Sequence, residues 1–426
     1  MEDKKNKFLF PLIVMASLFF LFGFITTMNN STIDFLKNAF GLSDVAKQLP
    51  NTFFYGAYIL SVPVGFMLTR IGYKNGVLAG LALISLGFFL CILGVSGGYY
   101  SFLSTVSVFA IGVVILQVAA APYVNALGSP ETAASRLTLT NALNSVATVI
   151  APIFVSILLV TPKLQTGQKL ENSAIQAIVS KPFLIIGVIT AVILAIMFFL
   201  KLPEIRNEAD SSNGAVKQYK SSAFKYPHMW LGSLAIFFYM GIEIGIPSFF
   251  ADFTSKIGIT EFGSRLPNFL VSFLHLVGKT EIDSTAMLTF YWAGLMVGRV
   301  VGIFILRKYK PGRILSLCAI GGAVMLASSF ALGSSASTLS MWLFIVTGLF
   351  HSIMWPVIYN LALEDLGPHS KVGSGVIATS VIGAAILMPI MGAIKSATGS
   401  VMLAIGCMFI YYLYMVFFAV KGSKIR

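Results

Sequence analysis

The chain has 426 residues, of which 57% are hydrophobic and 11% charged. Soluble domains carry about 25% charged residues, so this composition excludes a water-soluble globular protein. The net charge of +13 does not indicate nucleic acid, because the basic residues lie in short loops between apolar runs rather than along one face.

The chain opens with MEDKKNK and an apolar run from Phe8 to Met28. That run is too long for a signal-peptide core and lacks a small-residue cleavage site, so it is read as the first membrane span. About 20 apolar residues are needed to cross roughly 30 Å of hydrocarbon. By that rule spans are predicted near 8–33, 48–69, 76–96, 100–126, 134–160 and 182–202. A second set is predicted near 228–251, 284–306, 314–334, 339–363, 372–395 and 399–420. All twelve are predicted as helices, since only a helix satisfies its own backbone in lipid and no barrel-like alternation is present. Residues 203–227 form the one long polar linker, dividing the chain into six-helix bundles at 1–202 and 228–426. Loops on the side of both termini hold 19 Lys and Arg against 9 opposite, which predicts cytoplasmic termini. Cys91, Cys318 and Cys407 fall inside apolar runs, and their spacing suggests neither a metal site nor a disulfide.

The halves carry a repeat. Residues 65–78 read GFMLTRIGYKNGVL and residues 302–315 read GIFILRKYKPGRIL. Gly65 and Gly302, Arg70 and Arg307, Leu78 and Leu315, and Pro152 and Pro389 all share an offset of 237. Such matches in equivalent spans predict parallel structural repeats about an axis along the membrane normal.

At this point the chain resembles the major facilitator superfamily. The stretch GFMLTRIGYK is similar to that superfamily's loop signature, with Gly65, Arg70, Gly72 and Lys74 in place and Thr69 where an acid usually stands. FGFITTMNNSTIDFLKNAF, PNTFFYGAYILSVPVGF, AAAPYVNALGSPETAASRLTLTNALNSVATVIAP, FFYMGIEIGIPSFFADF, FYWAGLMVGRVVG and IMWPVIYNLALEDLGPHSKVGSGV narrow the resemblance to the fucose permease-like branch. The resemblance implies an all-α major facilitator fold and proton-coupled import of fucose, glucose or galactose. The conformational loop residues would be Gly65, Arg70, Gly72, Lys74 and Arg307.

Polar groups inside a membrane are costly unless partnered, so each one carries a hypothesis. Counted from the span ends, Gln117 and Asn144 both lie roughly 14 Å deep, and Asn141 shares a helix face with Asn144. Amides donate and accept, which suits sugar hydroxyls, while rings suit the apolar faces of pyranoses. Asn30, Gln117, Asn141, Asn144, Tyr239, Trp292, Trp355 and Tyr359 are the candidate substrate contacts; the alternative for each is helix-to-helix packing. In the resembled branch the positions of Asn30 and Gln117 are commonly acids implicated in proton coupling. An amide keeps the hydrogen bonds but does not titrate.

Asp34, Glu243, Arg299 and His351 are the candidates for coupling or ion pairing. Glu243 is the only acid well inside a span and Arg299 the only basic residue in a span interior. Two readings stand open, a structural ion pair and a proton carrier, and residue counting puts the two about 10 Å apart in depth. The expected function is a secondary transporter importing a monosaccharide by alternating access, driven by a proton or sodium. The alternatives are an uncoupled facilitator, an efflux transporter and a sugar sensor. No nucleophile–base motif, metal-ligand set, Walker loop or cofactor site is present, so no enzyme is expected. The expected partners are a sugar, a coupling cation and the lipid bilayer, without nucleic acid. The expected setting is a monomer in the cytoplasmic (inner) membrane.

Overall fold

The computed structural model describes residues 2–42, 49–158, 171–200, 219–276 and 282–425, and every regular element among them is helical. The first half supplies α1 (Glu2–Ser31), α2 (Ile33–Phe40), α3 (Leu49–Gly56), α4 (Ser61–Gly94), α5 (Tyr99–Ala126), α6 (Ala133–Leu158) and α7 (Asn172–Phe199). The second half supplies α8 (Pro227–Lys256), α9 (Asn268–Leu276), α10 (Ser284–Lys308), α11 (Pro311–Leu332) and α12 (Ser337–His351). It continues with α13 (Met354–Leu363), α14 (Ser370–Thr379), α15 (Gly383–Thr398), α16 (Val401–Gly406) and α17 (Met408–Val420).

Ten helical segments among the described residues are long and apolar enough to cross a membrane. One of them, Thr52–Gly97, has 46 residues. A straight helix of that length would run about 69 Å, more than twice the hydrocarbon thickness. It bends at Gly72, whose φ of 80° and ψ of 172° are open to glycine and strained for other residues. Two spans therefore lie in that segment, and the 26-residue α6 supplies another, which makes twelve. The repeat is structural as well as sequential. The position 237 residues beyond Gly72 is Tyr309, in the break between α10 and α11.

The sixth predicted span begins ten residues late. α7 starts at Asn172 and passes through Pro182, because a single proline removes one hydrogen bond without ending a helix that its neighbours hold.

Two compact units emerge, and they do not follow the chain halves. The first unit comprises 1–129, 146–223 and 365–379; the second comprises 130–145, 224–364 and 380–426. Each half thus places one short segment in the other's unit.

Within the first unit, α14 lies against the start of α4. A Cβ on Gly65 would stand 2.8 Å from the Lys371 carbonyl oxygen, and one on Gly375 would stand 2.3 Å from that of Ser61. Within the second unit, residues 135–145 of α6 run antiparallel along α10. Ser135 Oγ donates to the Ile303 carbonyl at 2.9 Å, and a Cβ on Gly302 would meet Thr138 Cγ2 at 3.6 Å. Small residues at these crossings let backbones approach closely where burying apolar surface gains nothing, since lipid is equally apolar. The two seams are related by the repeat, Gly65 matching Gly302 and Thr138 matching Gly375 at the offset of 237.

Candidate functional site

Three prolines organise the polar interior. A proline at position i has no N–H for the carbonyl at i−4, so that oxygen needs another donor. Pro247 frees the carbonyl of Glu243, and Tyr291 Oη donates to it at 3.1 Å. Pro356 frees the carbonyl of Ser352, and Arg299 Nε donates to it at 3.1 Å. Pro122 frees the carbonyl of Val118, and Ser374 Oγ donates to it at 3.0 Å. Each freed carbonyl thus ties its helix to a neighbour.

Arg299 is the hub of the second unit. Its Nη1 donates to the Asn141 carbonyl at 3.1 Å and also to Ser145 Oγ. Its Nη2 lies 3.7 Å from Glu243 Oε1, with the two side chains 9% and 14% exposed. A planar guanidinium can serve such separate acceptors at once, whereas an ammonium is a single point charge. The carboxylate balances the charge and faces Nη2, and the three neutral oxygens accept from Nε and Nη1. The depth difference of about 10 Å expected from residue counting does not keep the side chains apart. Counting from span ends assumes straight helices at one tilt, whereas α8 carries Pro247 in its interior and Arg299 reaches out from α10 on a long side chain. α10 comes close to α12 because Gly298 carries no Cβ, which would otherwise stand 2.6 Å from the Leu349 carbonyl oxygen.

His351 is fully buried beside this hub. Tyr291 spends its one proton on the Glu243 carbonyl, which can only accept, so His351 Nδ1 donates to Tyr291 Oη across 3.0 Å. In the neutral ring Nε2 then accepts from Tyr412 Oη, and Tyr239 Oη donates to the His351 carbonyl at 3.2 Å. Both ring nitrogens have a tyrosine hydroxyl as partner. Tyr291 and Tyr412 were not among the residues singled out by sequence; only the proline at 247 hints that a donor must face Glu243.

The amides divide between the units. In the first unit Gln117, 9% exposed, accepts the Tyr58 hydroxyl on Oε1 at 2.6 Å, which turns its amide N–H groups to other partners. In the second unit Asn141 Nδ2 folds back on the Leu137 carbonyl at 2.8 Å, and Asn144 is half-buried. Trp355 and Tyr359 lie one turn apart on α13 and stack at 5.0 Å with an interplanar angle of 16°. Tyr359 is 1% exposed, Trp355 8% and Trp292 36%. Asn30 and Asp34 lie on α1 and α2 at the break around Thr32, and their side chains fall outside the described residues. Asn29 beside them is buried, and its carbonyl accepts Thr32 Oγ1 at 2.8 Å.

The loop residues separate by role. Gly72 makes the bend, and Lys74 Nζ caps the end of α7 through the Phe198 carbonyl at 3.1 Å. Thr69, in place of an acid, closes on the Phe66 carbonyl at 2.7 Å, while Arg70 and Arg307 are exposed. Lys371 stands 4.8 Å over the Tyr73 ring, fastening α14 to this loop by a cation–π contact.

Residues 15–389 match the family model for the Major Facilitator Superfamily. The chain belongs to the major facilitator superfamily. Among its relatives in that superfamily is the glucose/galactose transporter of Brucella abortus, 36% identical over 97% of this chain and 94% of that protein. A putative glucose/galactose transporter of Helicobacter pylori is 33% identical over 96% of both chains. The L-fucose-proton symporter of Escherichia coli is 26% identical over 93% of this chain and 90% of its own length. The crystal structure of that bacterium's fucose:proton symporter FucP has the same fold. It superposes with a TM-score of 0.80 at 24% identity, covering 98% of this chain and 100% of FucP. Twelve helices in two pseudo-symmetric sets of six are the major facilitator architecture, and its members are membrane transporters rather than enzymes.

Proposed function

We propose that this chain imports a monosaccharide of the glucose, galactose or fucose class by proton-coupled alternating access. The observation that carries this reading is the near full-length similarity to a glucose/galactose transporter at 36% identity. The interior chemistry supports it. Gln117, its partner Tyr58 and the half-buried Asn144 offer hydroxyl-matching hydrogen bonds, and the Trp355–Tyr359 stack offers an apolar ring face. The sugar contacts in this reading are Asn30, Gln117, Asn141, Asn144, Trp292 and Trp355. Tyr359 backs Trp355 through the ring stack and Tyr239 bonds to the His351 carbonyl, both at most 1% exposed.

The two chain halves, 1–202 and 228–426, rock as bundles joined by the cytoplasmic linker 203–227 in this proposal. Both termini are cytoplasmic by the Lys and Arg distribution, and the protein works as a monomer in the cytoplasmic membrane. The seams of α14 on α4 and of α6 on α10 lie at helix ends that this orientation puts on the cytoplasmic side. They part and re-form in each cycle.

Competition separates the sugars. Uptake of labelled glucose into proteoliposomes is expected to fall with unlabelled glucose and galactose and to stay unchanged with a disaccharide or an amino acid. Equal inhibition by unrelated solutes, or none by any hexose, contradicts a monosaccharide site.

A further inference from the structure

A transporter coupled to protons needs a group that takes one, and the amides at Asn30 and Gln117 do not titrate. Glu243 is the acid that the geometry connects to a moving part. Its carboxylate offsets a buried guanidinium, Arg299 at 7% exposure, and that guanidinium is bonded to residues 141 and 145 of α6. α6 belongs to the first chain half and α8, α10 and α12 to the second, so Arg299 links the halves at one seam.

We propose that Glu243 is the proton-binding site of the transport cycle and that Arg299 transmits its charge state to the α6 segment 135–145. The inference rests on the proton-coupled reading above. Adding a proton to Glu243 removes the negative charge facing Arg299. The guanidinium then keeps only neutral acceptors in a dry interior, and a buried cation without its counter-charge is strongly unfavourable. Arg299 gains by reaching water, which breaks its bonds to the Asn141 carbonyl and Ser145 and loosens the α6–α10 seam. Loss of the proton restores the pair and the seam.

The groups facing Glu243 fit this role. Tyr239 lies one turn earlier on α8, and α10 brings Arg299 and Tyr291. The His351 ring of α12 bonds to Tyr291 and to Tyr412 of α17, and the His351 carbonyl accepts from Tyr239. Of the other helices packed on α8, α15 brings Lys395, which pairs with Asp252 at 2.6 Å nine residues further on. α13 brings Tyr359, stacked on Trp355, and α16 carries no titratable group. Arg299 is thus the one cation paired with Glu243 among the described residues.

The test places nitroxide labels at Glu131→Cys and Lys308→Cys, both exposed and next to the seam, in a full-length chain whose Cys91, Cys318 and Cys407 are alanine. Dipolar coupling between the labels reports closure and is read in lipid nanodiscs without sugar. With Glu243 intact, the coupled fraction is expected to fall on moving from mildly alkaline to mildly acidic buffer. In E243Q, which resembles the protonated acid, it is expected to be low at both pH values with no pH response. E243D keeps the carboxylate and is expected to keep the response, which guards against a misfolded E243Q sample. A pH response that persists in E243Q, or none in the parent, overturns the proposal. The measurement needs no transport, so its failure alongside normal sugar accumulation rejects the role of Glu243 and Arg299 alone. Failure of sugar-specific uptake rejects the transport reading instead.

Discussion

Arg299→Met is expected to reduce sugar uptake by about two orders of magnitude or more, and to lower thermal stability as well. Removing one partner of a buried ion pair costs about 3–5 kcal/mol, because the other charge stays behind uncompensated. Here the loss is compounded. Glu243 loses its counter-ion, the Ser352 carbonyl freed by Pro356 loses its only described donor, and α6 loses two bonds to α10. Arg299→Lys tests geometry apart from charge. An ammonium reaching toward Glu243 keeps the charge balance but cannot serve the Ser352, Asn141 and Ser145 oxygens together. Lysine is therefore expected to restore stability better than it restores transport. Initial uptake rates, normalised to reconstituted protein, and melting temperatures in detergent check both statements. A lysine variant that transports normally contradicts the multi-acceptor role.

Gln117→Leu is expected to weaken sugar binding by about 10- to 100-fold, matching the roughly 1–3 kcal/mol lost when a buried polar contact is left unmade. The substitution removes the amide and strands the Tyr58 hydroxyl, which now bonds to Gln117 Oε1 at 2.6 Å. Gln117→Glu is the informative companion. A carboxylate still accepts from Tyr58, so the local packing survives, but the site gains a group that titrates. Its sugar affinity is expected to gain a second pH dependence, beyond the one that coupling already gives the parent protein. Equilibrium binding measured at several pH values decides the point, and unchanged affinity in Gln117→Leu removes this residue from the sugar site.

Much of the scaffold is legible in the sequence for plain physical reasons. Spans follow from apolar length, since a helix must cross a layer of fixed thickness. The bend at Gly72 and the break at Tyr309 fall at one offset, so the repeat that places Gly65 against Gly302 in the alignment also aligns helix ends. The single span expected over 8–33 is interrupted near its end, where α1 stops at Ser31 and α2 opens at Ile33.

Residue counting does less well with lateral contacts. It places Glu243 and Arg299 about 10 Å apart in depth and leaves their pairing open, and the side chains meet at 3.7 Å. Tyr58, Tyr291, Tyr412 and Ser374 also escape a search for charged or amide side chains, since tyrosine and serine are common in membrane helices for packing alone. The prolines carry the missing signal. Each of Pro122, Pro247 and Pro356 announces an oxygen four residues earlier that must find a donor, and the structure supplies Ser374, Tyr291 and Arg299. The exchange of segments 130–145 and 365–379 between units has no counterpart in composition, because it depends on which helices lie side by side.

Proton movement during sugar entry tests the central claim most directly. Glucose or galactose added to lightly buffered, de-energised vesicles holding the protein is expected to turn the external medium alkaline, and a protonophore is expected to abolish accumulation. Sugar entry with no accompanying proton uptake, at a rate indifferent to an imposed pH gradient, would contradict it.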